Sequence, residues 1–154
     1  MQALIIRSAL EWVYRHEHNI ICVIPEAWKF IPASRQSPVS RACERLIREG
    51  AALGNYLWLD SQDLAGVHKE ILRQVGVWVM GVQREVNEAQ RALDHIPVQP
   101  KPRVDEVMRL KRGQFFVCHG NVLRKVYVRP GWMSDAAAYL AALGNMDAAP
   151  RPRL

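Results

Sequence analysis

Residues 19–32 read NIICVIPEAWKFIP, and the order of chemistry within that stretch decides the fold. Positions 20–24 are apolar without a break, and four of the five are isoleucine or valine. Branching at Cβ favours extended backbone. A run that is apolar at every position, not every second one, marks a strand covered on both faces. Pro25 ends the run, and Glu26 then places a carboxylate just past it. In open α/β sheets the carboxyl ends of strands are where ligands gather. Glu26 is therefore the first candidate functional residue.

Helical and extended segments alternate on either side. Upstream, residues 2–17 put Leu4, Ile5, Ala9, Trp12 and Val13 on one helical face. Downstream, PASRQSP (32–38) is loop by composition, and Ser37 with Pro38 opens a helix over 38–53 that Gly54 ends. YLWLD (56–60) is a second apolar strand, SQDLAG a polar loop, 67–74 a short helix and VWVMGV (77–82) a third strand. Residues 84–96 form a helix with Val86, Ala89, Leu93 and Ile96 inward, and PVQPKPR (97–103) is an extended linker. Residues 114–130 read as an antiparallel hairpin about Gly120-Asn121. A last helix spans 134–144 between Ser134 as cap and Gly144 as stop, and DAAPRPRL trails off loose. The expected fold is α/β, a Rossmann-like three-layer arrangement with a mostly parallel sheet and a C-terminal antiparallel hairpin. Residues 1–133 form its body, and 134–154 add a helix and a basic tail.

At 154 residues the chain is long enough to bury roughly 70% of its unfolded surface. The apolar fraction of 49% and net charge of +6 suit a soluble, mildly basic protein with an acidic partner such as DNA. Cys22, Cys43 and Cys118 show no C-x-x-C spacing, which points to small buried hydrophobes in a reducing cytoplasm. No apolar run approaches the ~20 residues of a membrane span, and the N-terminus lacks a secretion signal. The five histidines show no metal-ligand spacing, so no metal site is expected. Most tryptophans fall on apolar faces and read as core, with Trp28 and Trp132 beside loops as interface candidates. Lys111, Arg112, Arg124, Lys125 and Arg129 gather around the hairpin, and Arg41, Arg45 and Arg48 recur on one face of the 38–53 helix. The first four are the candidate nucleic-acid contacts, which would be sequence-blind and salt-sensitive.

The segment ICVIPEAWKFIP looks like the strand at whose end many NTPases hold Mg²⁺ and polarise water, with Glu26 in the place of the catalytic glutamate. The stretch that follows, ERLIREGAALGNYLWLDSQDLAGVHKEILRQVGVWVMGVQ (44–83), resembles the corresponding part of HerA/FtsK-type P-loop ATPases of RecA-like fold. There a basic helix ends near a glycine, and a strand then ends in Ser-Gln. Gln62 matches the polar residue that senses the γ-phosphate. The likeness covers about residues 20–130 and implies the C-terminal half of such a domain. The departures are chemical. No G-x-x-x-x-G-K-[ST] occurs, and none of the nine glycines precedes a lysine. Pro25 stands where the family orders Mg²⁺ with aspartate, and Ala51 and Ala52 stand near its arginine finger.

The resemblance thus implies a partial or degenerate ATPase domain, non-catalytic as this chain, acting in assembly or nucleic-acid association. It needs no cofactor alone, and ATP with Mg²⁺ if the complete domain is present. The implied partners are DNA, a further copy, or a chain carrying the missing phosphate-loop half. One alternative is the C-terminal part of an active ATP-driven DNA translocase in which Glu26 and Gln62 still serve. Another is an unrelated α/β interaction module. Two geometric expectations follow. Strands 20–24 and 56–60 are parallel neighbours with Glu26 and Gln62 at one edge, and strands 56–60 and 77–82 close up and pair directly.

Overall fold

The computed structural model describes residues 1–143, and the chain packs as two compact units that divide between Val75 and Gly76. The first contains α1 (Gln2–His16), β1 (Ile21–Ile24), α2 (Pro38–Glu49), β2 (Tyr56–Leu59) and α3 (Lys69–Leu72). The second contains β3 (Val77–Met80), α4 (Val86–His95), α5 (Val104–Met108), β4 (Gln114–His119), β5 (Val122–Tyr127) and α6 (Asp135–Ala142). Gly144 and the DAAPRPRL tail lie outside the described residues.

In the first unit β1 and β2 pair in parallel, Ile21 against Tyr56 through Ile24 against Leu59. The crossover between them is α2, whose start is chemically determined. The Ser37 hydroxyl accepts from the Ser40 N–H at 3.0 Å and donates to the Phe30 carbonyl at 2.7 Å. The Ser40 hydroxyl in turn accepts from the Ser37 N–H, and Pro38 fills the first helical position. A 3₁₀ turn over Gly50–Leu53 extends α2, and Gly54 ends it at φ 70°, a left-handed conformation that glycine adopts without strain. Asn55 follows, 2% exposed. Its side chain accepts from the Ile20 N–H at 3.0 Å and donates to the Glu17 carbonyl at 2.8 Å. One amide thus ties the end of α1 to the starts of both strands. Val39, Cys43 and Leu46 of α2, Leu10 of α1, Ile24, Ile31, Val67 and Ile71 are buried.

The first helix turns inward only part of the face its period suggested, Ala9 and Val13, together with Ile6 and Leu10. Leu10 is buried, and Ile6, Ala9, Leu10 and Val13 line an apolar recess against Cys22, Ile24 and Phe30. Leu4, Ile5 and Trp12 stand exposed. α1 carries two apolar stripes, and β1 selects only one. Trp58 is also exposed, as is Trp12, so these two tryptophans are not core residues.

The second unit is a three-stranded antiparallel sheet in the order β3-β4-β5. β4 and β5 form the expected hairpin, closed by the two-residue turn Gly120-Asn121 with Gly120 at φ 55°. β3 takes β4 as its partner, Val77 against His119 through Met80 against Phe116. The expected direct pairing of 56–60 with 77–82 is therefore corrected. β2 has its ladder with β1, and β3 has its ladder with the hairpin, because a long hairpin strand offers β3 a full register of partners. Ala89, Ala92, Leu93 and Ile96 of the α4 region are buried, whereas Val86 is exposed. α6 begins at Ser134, whose hydroxyl accepts from Ala137, and packs Ala137 and Ala138 with Met133 beside Tyr127. No helix among the described residues is long and apolar enough to cross a membrane.

Candidate functional site

The carboxyl ends of β1 and β2 lie side by side because the strands are parallel and in register, so whatever follows each strand meets at one edge. After β1 the chain turns sharply. Glu26 adopts φ 50° and ψ 51°, left-handed backbone that a residue with a β-carbon rarely takes. The turn is held from both sides. The Ala27 N–H donates to the Asp60 carbonyl at 2.8 Å, adding one rung beyond the ladder, and Ala27 is fully buried. The Lys29 N–H returns to the Glu26 carbonyl at 3.0 Å, closing a single 3₁₀ turn over Ala27–Lys29.

After β2 the loop is shaped by its own side chains. The Ser61 hydroxyl donates to the Asp63 carbonyl at 2.8 Å, and the Asp63 carboxylate accepts from the Gly66 N–H at 2.9 Å. A β-carbon on Gly66 would sit 2.6 Å from the Asp63 carboxylate and 3.1 Å from the Trp28 β-carbon. A larger residue there would have to displace the Asp63 carboxylate that holds the turn. Two further bonds join this loop to the one after β1: Ala33 N–H to Gly66 carbonyl at 2.7 Å, and His68 N–H to Ile31 carbonyl at 2.9 Å.

Between these stitched loops the Glu26 carboxylate receives two donors. Gln62 Nε2 donates to Glu26 Oε1 at 3.2 Å, and Trp28 Nε1 donates to Oε2 at 2.7 Å. Lys29 Nζ stands 5.3 Å from the centre of the Trp28 ring. The two residues singled out from the sequence are thus in direct contact. Trp28 is the residue that sequence reasoning missed as a partner of Glu26, and its only signal was an indole two positions after an acid. In this arrangement a carboxylate is oriented and accessible, with an amide beside it that can donate or accept. That is chemistry for orienting a polar ligand or a water.

The apolar recess against α1, about 380 Å³, runs up to Pro25 and lacks polar groups to orient a ligand. Among the described residues no group of three or more His, Cys, Asp and Glu stands together as a metal-ion site.

The basic candidates lie in the second unit. Lys111 and Arg112 are exposed just before β4, and Arg124 and Lys125 are exposed on β5. Arg124 and Lys125 are consecutive in a strand, so they project to opposite faces of the sheet. The structure therefore does not gather all four on one surface. Arg129 is engaged elsewhere, donating to the Met133 carbonyl at 2.6 Å and pairing with Asp135 at 3.4 Å.

No protein-family model matches the chain, and no curated protein sequence does. Solved structures do match. The genome-packaging NTPase B204 from Sulfolobus turreted icosahedral virus 2, in complex with sulfate, superimposes with a TM-score of 0.68 at 15% identity. The match covers 84% of this chain and 64% of B204. Its complex with ATP-gammaS gives 0.63 at 16% identity, covering 82% and 60%. The DNA-packaging ATPase B204 from Sulfolobus turreted icosahedral virus gives 0.61 at 18% identity, covering 81% and 60%. The chain spans less than two thirds of the length of these ATPases. At such identities the likeness establishes the fold: the chain has a P-loop-ATPase-like α/β fold.

Proposed function

We propose that the chain is part of a DNA-motor ATPase domain of HerA/FtsK type, supplying its glutamate–glutamine edge while having no turnover of its own. One observation carries this reading. Glu26 and Gln62 come from the ends of two different parallel strands and meet at 3.2 Å, in a fold shared with DNA-packaging ATPases. A chain that used these strands only for protein contacts would have no need to hold a strained glutamate against a glutamine at that edge.

The residues present do not fit a complete Mg²⁺–ATP site. Pro25, where a metal-ordering carboxylate would stand, has no side-chain oxygen, and no glycine-rich loop with lysine accompanies it. Both Glu26 oxygens are also already accepting hydrogen bonds within the chain. No step through nucleotide or metal is therefore assigned to this chain alone. Its work lies in assembly with a phosphate-binding segment and in contact with nucleic acid through residues drawn from Lys111, Arg112, Arg124 and Lys125, of which Arg124 and Lys125 serve opposite faces of the sheet.

Calorimetry with Mg²⁺–ATP at about 1 mM tests the first part, with no binding and no phosphate release expected. A micromolar dissociation constant, or turnover abolished by Glu26→Gln, would refute it. Fluorescence anisotropy with duplex DNA tests the second. The logarithm of affinity should fall linearly with the logarithm of salt, by ~0.9 per phosphate neutralised, and replacing Arg112, Arg124 and Lys125 with alanine should flatten the slope. Absence of binding at about 50 mM salt would remove nucleic acid from the reading.

A further inference from the structure

α2 carries a row of unneutralised charge. Arg41, Arg45 and Arg48 recur at i, i+4 and i+7, within an arc of about 60° at about 100° per residue. All three are exposed, on the side opposite buried Val39, Cys43 and Leu46. A glutamate three or four positions from an arginine on a helix is close enough to pair with it. α2 places Glu44 three positions after Arg41 and Glu49 four after Arg45. Both carboxylates are turned to other partners. Glu44 accepts from Gln36 Nε2 at 3.3 and 3.2 Å and stands 3.8 Å from His68. Glu49 accepts from the Tyr14 hydroxyl of α1. Among the described residues Arg41, Arg45 and Arg48 form no ion pair, whereas Arg73, Arg91, Arg103, Arg109 and Arg129 each hold a carboxylate.

α1 extends the row. The Arg45 guanidinium carbon lies 5.6 Å from the centre of the Tyr14 ring, and Arg15, next to Tyr14 in the chain, is exposed. The hydrogen bond from Arg7 holds the Glu11 carboxyl below its usual range, and the charges of Arg15 and Arg45 pull it in the same direction. The arginines of the two helices therefore share one surface of the first unit. Tyr14 positions them. By bonding Glu49 and lying under Arg45, it keeps a carboxylate away from the guanidinium it would otherwise neutralise.

We propose that this α1–α2 surface binds the phosphodiester backbone of nucleic acid through Arg15, Arg41, Arg45 and Arg48. Guanidinium groups suit phosphate because their planar forks bond two oxygens at once. From Arg41 to Arg48 the row spans about 10 Å of helix, at about 1.5 Å per residue. Duplex DNA carries about one charge per 1.7 Å of axis, so that length offers roughly six phosphates, enough for each arginine to find its own. An acidic protein would have to present a matching line of carboxylates, whereas a nucleic acid carries its line of phosphates in any sequence. Contact of this kind reads no bases. The surface is distinct from the hairpin residues of the second unit and does not depend on the pairing of Glu26 with Gln62.

Fluorescence anisotropy with a labelled duplex, over salt from about 20 to 200 mM, tests the proposal. Replacing Arg41, Arg45 and Arg48 together with glutamine should flatten the slope of log affinity against log salt by about 2.7, and weaken binding at about 100 mM salt on the order of 10²–10³-fold. A control with the ion-paired Arg73, Arg103 and Arg109 replaced by glutamine loses the same number of charges and should bind as the wild type does. Tyr14→Phe releases Glu49 to pair with Arg45, so it should flatten the slope by about 0.9 with unchanged circular dichroism. A glutamine triple variant that binds as well as the control would overturn the proposal and leave the hairpin as the nucleic-acid contact. A wild-type chain that binds no duplex at about 50 mM salt would overturn both. Binding to vesicles containing phosphatidylserine, without affinity for duplex, would assign the surface to a membrane and overturn it as well.

Discussion

Replacing Glu26 with glycine and, separately, with alanine isolates the backbone cost of the turn that carries it. Both substitutions remove the bonds to Gln62 and Trp28, so their difference does not depend on those contacts. Alanine keeps a β-carbon at φ 50°, where left-handed backbone costs an L-residue about 1–2 kcal/mol. Glycine escapes that cost but orders a more flexible unfolded chain, which returns about 0.4–1 kcal/mol. The glycine variant should therefore be more stable than the alanine variant by about 0.5–1 kcal/mol. For a chain of this length that is a difference of about 1–4 °C in Tm. Urea denaturation followed by circular dichroism, with calorimetry on the same samples, reads it directly. An alanine variant as stable as the glycine variant would show that the turn stores no strain. Glu26 would then not be held in an unfavourable conformation for the sake of its carboxylate.

Two further substitutions and probes test the frame around the site. Asn55→Ala leaves the Ile20 N–H and the Glu17 carbonyl without their partner, so it should cost about 2–4 kcal/mol in urea denaturation. A loss under about 1 kcal/mol would mean that water replaces the amide. Burial pushes the Cys43 thiol up to about 12 from its ordinary 9.0. The folded pKa lies above the unfolded one, so this burial supports stability fully below pH 9 and loses that support as pH rises toward 12. Native protein at about pH 8 should resist labelling of Cys43 by a disulfide reagent until urea is added, and stoichiometric labelling before unfolding would contradict the burial.

The parts of the fold that were legible are those fixed by local chemistry. Ser37 and Pro38 announce the start of α2, Gly54 its end, and Gly120-Asn121 the hairpin turn, because each acts within a few residues of itself. Glu26 and Gln62 could be paired in advance because consecutive strands joined by a helical crossover align their ends. What covers a surface is a different matter. The apolar run at 20–24 predicts burial on both faces, and 56–60 reads as a second apolar strand; both identify side chains that favour burial. No local pattern says whether a covering layer is present, and Ile21, Val23, Tyr56 and Trp58 stand exposed. α1 defeats a periodic reading because two apolar stripes share one helix, and only its neighbours select between Leu10 and Trp12. The partner of β3 differs from expectation because pairing between distant strands depends on which edges are free. Trp28 and Asn55 act through side-chain hydrogen bonds that follow no period, so the sequence offered no rule for finding them.

The rung between Ala27 and Asp60 has a consequence for how this edge can change over generations. A buried methyl with its N–H committed across the strand ends leaves little room for a larger side chain, so position 27 can drift most readily to glycine without reopening the loop. Its neighbour at 26 is only partly buried and is held by polar bonds alone, so its side chain can change at the cost of those bonds, most cheaply to residues that tolerate left-handed backbone. The edge separates inheritance into a fixed hinge and an adjacent variable tip. A descendant could lose or regain a reactive group at the tip by one substitution, without first losing its shape.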